Sequence, residues 1–171
     1  MGRYRAPQTP GSPYITPEGH ATLARELDYL WREKRPEVTR KVSEAAAQGD
    51  RSENADYIYG KKQLYEIDRR VRFLRKRLEA LTIVHQTPDD TQRAYFGAWV
   101  RLEDSEGNTH EYRIVGPDEF EPQKGWISMD SPLAKTLLRK TIDDTFSVEL
   151  PRGSESYTVL DIQYRPFSTP R

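Results

Sequence analysis

Asp50, Glu53 and Asp56 recur at intervals of three in the stretch Gly49-Asp50-Arg51-Ser52-Glu53-Asn54-Ala55-Asp56-Tyr57. Two kinds of chemistry suit that spacing. On a helix that starts here the three acids share roughly one face. Asp50-x-x-Glu53 is then a capping box, with Asp50 accepting from the Glu53 amide. Alternatively, Asp50 and Glu53 are oxygen ligands for a divalent cation. Two carboxylates cannot fill the octahedral shell of magnesium, so water, phosphate or a partner's carboxylates must supply the rest. A cation shared in this way could activate water against a phosphodiester once the partner is docked. His20, His85 and His110 are scattered, without HExxH-like spacing, and add no ligand set. The chain has no cysteine, which excludes disulfides and thiolate metal sites and fits a reducing cytosol.

A second feature is basic. Lys61, Lys62, Arg69, Arg70, Arg72, Arg75, Lys76 and Arg77 face only Glu66 and Asp68 in the same stretch. Eight cations against two anions exceed what pairing along one helix can neutralise, so this segment is a candidate nucleic-acid surface. The bland alternative is a solvated coiled-coil flank. Tyr57, Tyr59 and Tyr65 could stack on bases or pack along the helix seam. The wider charge distribution agrees with a division of labour. Residues 1–86 hold 17 Lys/Arg against 12 Asp/Glu, and residues 87–171 hold 10 against 15.

The elements that must carry these groups follow from periodicity. Thr16, Pro17 and Glu18 predict a helix start, followed by apolar positions at Leu23, Leu27, Leu30, Val38, Val42 and Ala45. Lys34 interrupts the pattern and Pro36 removes a backbone donor, which predicts a kink there. Gly49 is the expected C′ residue. Leu64, Ile67, Val71, Leu74, Leu78 and Leu81 then step 3-4-3-4-3, a heptad seam for one antiparallel partner. Each arm of about 30 residues would be roughly 45–50 Å long, with the acids at the turn.

Residues 87–91 read as a linker. Beyond them Phe96, Ala98, Val100 and Leu102 alternate with polar positions, as do His110, Tyr112 and Ile114 after a turn at Asp104–Asn108. Ser131-Pro132 opens a short helix with Leu133, Leu137 and Leu138, and two further alternating strands run near 146–150 and 158–164. The expected fold class is α+β: an antiparallel coiled-coil hairpin over residues 15–86, then a small antiparallel sheet domain with one helix over 87–171. Residues 1–14, with Pro7, Pro10 and Pro13, read as a disordered lead-in. With neither a signal peptide nor an apolar span, the default is a soluble, cytoplasmic protein. Monomer is expected, because the seam is used within the hairpin.

Leu-Trp-Arg-Glu-Lys-Arg-Pro-Glu-Val (30–38), the nine residues 49–57, Glu-Ile-Asp-Arg-Arg-Val-Arg (66–72), Phe-Gly-Ala-Trp-Val (96–100), Arg-Ile-Val-Gly (113–116) and Asp-Ser-Pro-Leu-Ala (130–134) resemble the Gre transcript-cleavage factors, closely the GreB type. The resemblance spans about residues 15–165. It implies an FKBP-like fold for the second half and a place in transcription elongation, in the secondary channel of RNA polymerase. There the family stimulates the polymerase's own cleavage of backtracked nascent RNA, without being a nuclease alone. It carries the paired tip acids onto Asp50 and Glu53, sharing Mg²⁺ with the polymerase, with Arg51, Ser52, Asn54, Asp56 and Tyr57 supporting them. It also maps a basic patch for the RNA 3′ end onto Lys61, Lys62, Arg69, Arg70, Arg72, Arg75 and Lys76. Polymerase docking maps onto Asp130, Ser131 and Pro132. Asp143 stands where the family has a glycine, which implies an altered turn. Three other readings remain: a non-catalytic channel binder, a prolyl isomerase and a free-standing RNA-binding coiled coil. Intact tip acids argue against the first, and fold alone does not confer the second.

Overall fold

The computed structural model describes residues 10–49 and 53–168. The element order is strand β1 (Tyr14–Ile15), helix α1 (Pro17–Tyr29), a π-helical turn (Leu30–Lys34), helix α2 (Arg35–Ala46) and helix α3 (Ala55–Ala80). Strands β2 (Thr82–Ile83), β3 (Trp99–Asp104), β4 (Thr109–Val115) and β5 (Trp126–Ser128) follow, then helix α4 (Pro132–Leu137) and strands β6 (Thr145–Leu150) and β7 (Gly153–Gln163). The architecture is therefore α+β, with a helical hairpin region and a curled sheet domain. Among the described residues no helix is long and apolar enough to cross a membrane. Two compact units result, His20–Leu81 and a second that joins the N-terminal segment through Gly19 to everything from Thr82 onward.

In the hairpin unit Val38, Ile67 and Val71 are buried together, with Leu27, Leu30, Val42 and Leu64 packed against them. This is the seam read from the sequence. The irregularity expected at Pro36 takes the form of the π-helical turn, in which the Arg35 N–H bonds the Leu30 carbonyl. Two ordinary helical turns consume about 7 residues, whereas Leu30 and Val38 are eight apart; the inserted residue keeps both on the core face. Gly60 lets α3 approach α2 closely, since a Cβ there would lie 2.7 Å from Val42 Cγ2.

The second unit is built on a five-stranded sheet ordered β5-β4-β3-β7-β6. Alternation fills one face with Val100, Leu102, Ile114, Val148 and Val159, over which α4 lays Ala134 and Leu137. Ser131 caps α4 by accepting from the Ala134 N–H at 3.2 Å, as the sequence predicts. The sheet is not wholly antiparallel: β4 pairs with β5 in parallel. β5 was not legible, being three residues without a period.

The lead-in expectation fails for its described part. Tyr14–Ile15 pairs in parallel with Thr82–Ile83, and the Ser12 N–H donates to Asp130 Oδ2 at 2.9 Å. Thr16 caps α1, accepting from the Gly19 N–H at 3.1 Å. Its own N–H donates at 3.0 Å to the buried Glu119, which also accepts from the Thr16 hydroxyl and from the Gly116 N–H at 2.8 Å. Glu119→Ala strands two buried amides and is expected to destabilise the protein by about 3 kcal/mol or more. Glu119→Gln, whose amide oxygen can still serve both N–H groups, should cost less; urea unfolding of the two variants checks this order.

Asp143 adopts φ +70°, the left-handed region in which glycine is unstrained. Its amide still donates to the Val159 carbonyl at 2.9 Å, so the turn keeps its hydrogen bond with an aspartate in it. Asp143→Gly is expected to raise stability by up to about 1 kcal/mol, read as a higher Tm, since Asp tolerates this conformation less well than Gly.

Candidate functional site at the hairpin tip

The connection between α2 and α3 is held by one side chain. Asn54 caps α3, its Oδ1 accepting from the Tyr57 N–H at 3.1 Å. Its Nδ2 donates at 2.8 Å to the Ala45 carbonyl in the last turn of α2, which also accepts from the Gln48 N–H. A single carboxamide thus closes both helix ends and fixes the separation between them. Gly49 lies beyond the C-cap Ala47 with φ +142°, a conformation that β-carbons disfavour. With Ala47 as the C-cap, Gln48 is the C′ residue and Gly49, expected at C′, is one position beyond it, because the last turn tightens with the Gln48 N–H bonding the Ala45 carbonyl at 3.2 Å.

Glu53 sits immediately before this cap, exposed, with no ion pair among the described residues. The capping box expected from Asp50 and Glu53 is not what starts the helix, since Asn54 competes successfully for the N-cap with its amide reaching both ends. Consequently Glu53 precedes α3 while Asp56, also exposed, lies in its first turn, so these two acids do not share one helical face. Asp50, Arg51 and Ser52 fall outside the described residues. Among the described residues no three His, Cys, Asp or Glu side chains group so as to hold a metal ion. Glu53 fits one ligand position: an exposed carboxylate with no cation paired to it among the described residues.

Along α3, Lys61, Tyr65, Arg69, Arg72 and Lys76 follow at steps of four, four, three and four, one continuous stripe on the solvent face. Lys62 and Arg75 flank it. None of these cations has a carboxylate within ion-pair distance among the described residues. Arg70 is different. It pairs with Glu26 of α1 at 2.6 and 2.9 Å and lies over the Phe73 ring, so it clamps the hairpin rather than joining the stripe. Arg35 and Asp68 form a matching clamp at 2.6 Å. The hydrogen bond to Asp68 raises the Arg35 pKa, with burial opposing it.

In the sheet unit Asp130 is engaged by Ser12 through both carboxylate oxygens, and Ser131 and Pro132 begin α4. These three residues are contiguous and partly or wholly accessible.

The N-terminal family description "Transcription elongation factor, N-terminal" matches residues 13–83, and "Transcription elongation factor, GreA/GreB, C-term" matches residues 88–164. Transcription elongation factor GreB of Yersinia pestis is 59% identical over 160 residues, covering 94% of each chain. The chain belongs to the GreA/GreB transcription elongation factor family. GreB of Pseudomonas aeruginosa is 58% identical, covering 97% of this chain and 99% of that one. GreA factor homolog 1 of Thermus thermophilus, a crystal structure, is 25% identical over 88% of this chain and 97% of that one, with a TM-score of 0.40.

Membership in the GreA/GreB family directs attention to the tip and the stripe, both in the region of the N-terminal match. Sequence reasoning placed the acids, Asn54 and the cations in these segments. It missed that Asn54 is the clip between the helices, although Asn before an amphipathic run is an N-cap signal. It also missed the division of the cations into a free stripe and a clamp, for which no one-dimensional signal exists.

Proposed function

We propose that this protein docks on RNA polymerase through the Asp130-Ser131-Pro132 surface and stimulates the polymerase's cleavage of backtracked nascent RNA. In this reading the hairpin enters the secondary channel, and the tip reaches the polymerase's active centre. The observation that carries it is Glu53: an exposed carboxylate with no ion pair among the described residues, held beside the Asn54 clip, in a chain of this family. Glu53 and Asp50 would hold Mg²⁺ jointly with the polymerase, the ion supplying Lewis-acid activation of the attacking water. Asn54 positions the turn, and the Lys61–Lys76 stripe holds phosphates of the extruded RNA 3′ segment by charge. The internal cut leaves a paired 3′ end that can be extended. Alone, the protein has too few ligands at the tip to cleave RNA.

The test is RNA cleavage in a purified, deliberately backtracked elongation complex with Mg²⁺, with and without the protein. Rapid release of short 3′ fragments only in its presence is expected. Equal, slow cleavage in both would overturn the reading and leave a channel competitor in its place.

A further inference from the structure

Trp31 is a large aromatic left in the open. It is 44% exposed, although it follows the core residue Leu30 directly. The π-helical turn that carries it keeps Leu30 and Val38 in the seam and turns Trp31 toward α3. There the Arg75 guanidinium lies 4.3 Å from the indole centroid and Arg35 lies 5.3 Å from it. The groove beside the ring is lined by Arg72 and Lys76, which have no carboxylate within ion-pair distance among the described residues, by Asp68, already taken by Arg35, and by Glu79. Arg72 and Lys76 are members of the solvent-face stripe, so the groove is continuous with it.

We infer that Trp31, with Arg75, is a stacking subsite for a nucleobase of single-stranded RNA, whose flanking phosphates lie against Arg72 and Lys76. The inference rests on the cleavage function proposed above and adds a position along the RNA. An indole offers a π-face to any base, and a guanidinium plane extends that stack while adding charge. Arg72, Arg75 and Lys76 outnumber Glu79 there, and this balance gives the groove the sign that phosphates require. A purely internal cation–π latch would need neither the exposure of the ring nor the free cations beside it. π-Helical insertions also concentrate at functional sites.

Geometry sets where the subsite acts. Trp31 lies fifteen residues before the end of α2 at Ala46, about 22 Å along the helix at 1.5 Å per residue. RNA stacked at roughly 3.4 Å per nucleotide covers that distance in about six or seven nucleotides. Short extrusions therefore never reach the indole, whereas long ones do.

The experiment uses the full chain and polymerase elongation complexes with either about two or about ten nucleotides of extruded RNA. Wild type, Trp31→Ala and Trp31→Tyr are compared for cleavage rate, and 4-thiouridine near the seventh extruded position for cross-linking. Trp31→Ala is expected to slow cleavage about tenfold on the long extrusion only, the scale of one lost stack. Trp31→Tyr should restore most of the rate, and the cross-link should map to the segment around Trp31. An equal loss on both lengths would overturn the proposal, pointing to hairpin support or a contact with the polymerase wall. No loss on either would leave Trp31 as a latch and overturn it too. Should wild type stimulate no cleavage at all, the cleavage function fails, and the cross-link alone decides the stacking.

Discussion

Glu53→Gln is expected to lower stimulated cleavage about 100-fold in backtracked complexes while leaving folding unchanged. The side chain is exposed and free of ion pairs among the described residues, so the substitution should shift stability by no more than about 0.5 kcal/mol. In the proposed mechanism it removes a negative oxygen ligand of the shared Mg²⁺. A metal ion contributes several kcal/mol to such a transition state, and about 3 kcal/mol corresponds to roughly 100-fold in rate. Asp50→Asn should match it. Because Asn54 rather than Asp50 caps α3, a loss at position 50 cannot be ascribed to a missing N-cap. The double variant should be little worse than either single one, as residues acting as a unit are not additive. Cleavage time courses at saturating protein, alongside thermal melts, make the measurement. Full activity in Glu53→Gln would end the metal-sharing account.

Asn54→Ala carries the second large effect. It deletes the N-cap bond to Tyr57 and the bond to the Ala45 carbonyl together. Loss of the cap costs about 1–2 kcal/mol of stability, too little to unfold a typical domain. The effect on cleavage should be larger, roughly 10- to 100-fold, because a misplacement of about 1 Å is enough for losses of that size. Asn54→Asp separates the two jobs. Aspartate caps as well as asparagine, but its second oxygen would face the Ala45 carbonyl where Nδ2 now donates. Stability near wild type with cleavage reduced about tenfold is the expected result for Asn54→Asp, the lower end of the misplacement scale. If Asn54→Ala cleaves like wild type, the clip does not position the acids.

How far the sequence could be read depended on whether a feature was periodic. Ile67 and Val71 were found because a heptad repeats, and Val100, Leu102, Ile114 and Val148 because strands alternate. Val159 escaped, because β7 shifts register against β3 between Asp161 and Val159 and so breaks the alternation that runs through Leu160 and Ile162. Thr16 and Ser131 were found because caps have a local signature. The acidic triplet and the cation run could be located by composition, and the family by its motifs. Strand β5 escaped, since three residues carry no period. The order of residues 10–15 escaped as well, because what binds them is Asp130, Phe96 and Thr82, each distant in the chain.

The sequence by itself determined the helical hairpin with its seam, the α+β class, the family, and which residue types stand at the turn and along α3. Those properties are local or repetitive, and they are written in spacing. Tertiary structure alone decided that Asn54 joins two helix ends, that Arg70 is committed to Glu26 while Arg72 and Lys76 have no ion pair among the described residues, and that Glu119 is buried beneath Thr16 and Gly116. It also decided that a π-helical turn, rather than a break, carries the chain past Pro36 and exposes Trp31. Each of these is a choice among competing partners that are close only after folding, so the outcome depends on distances that sequence spacing does not contain.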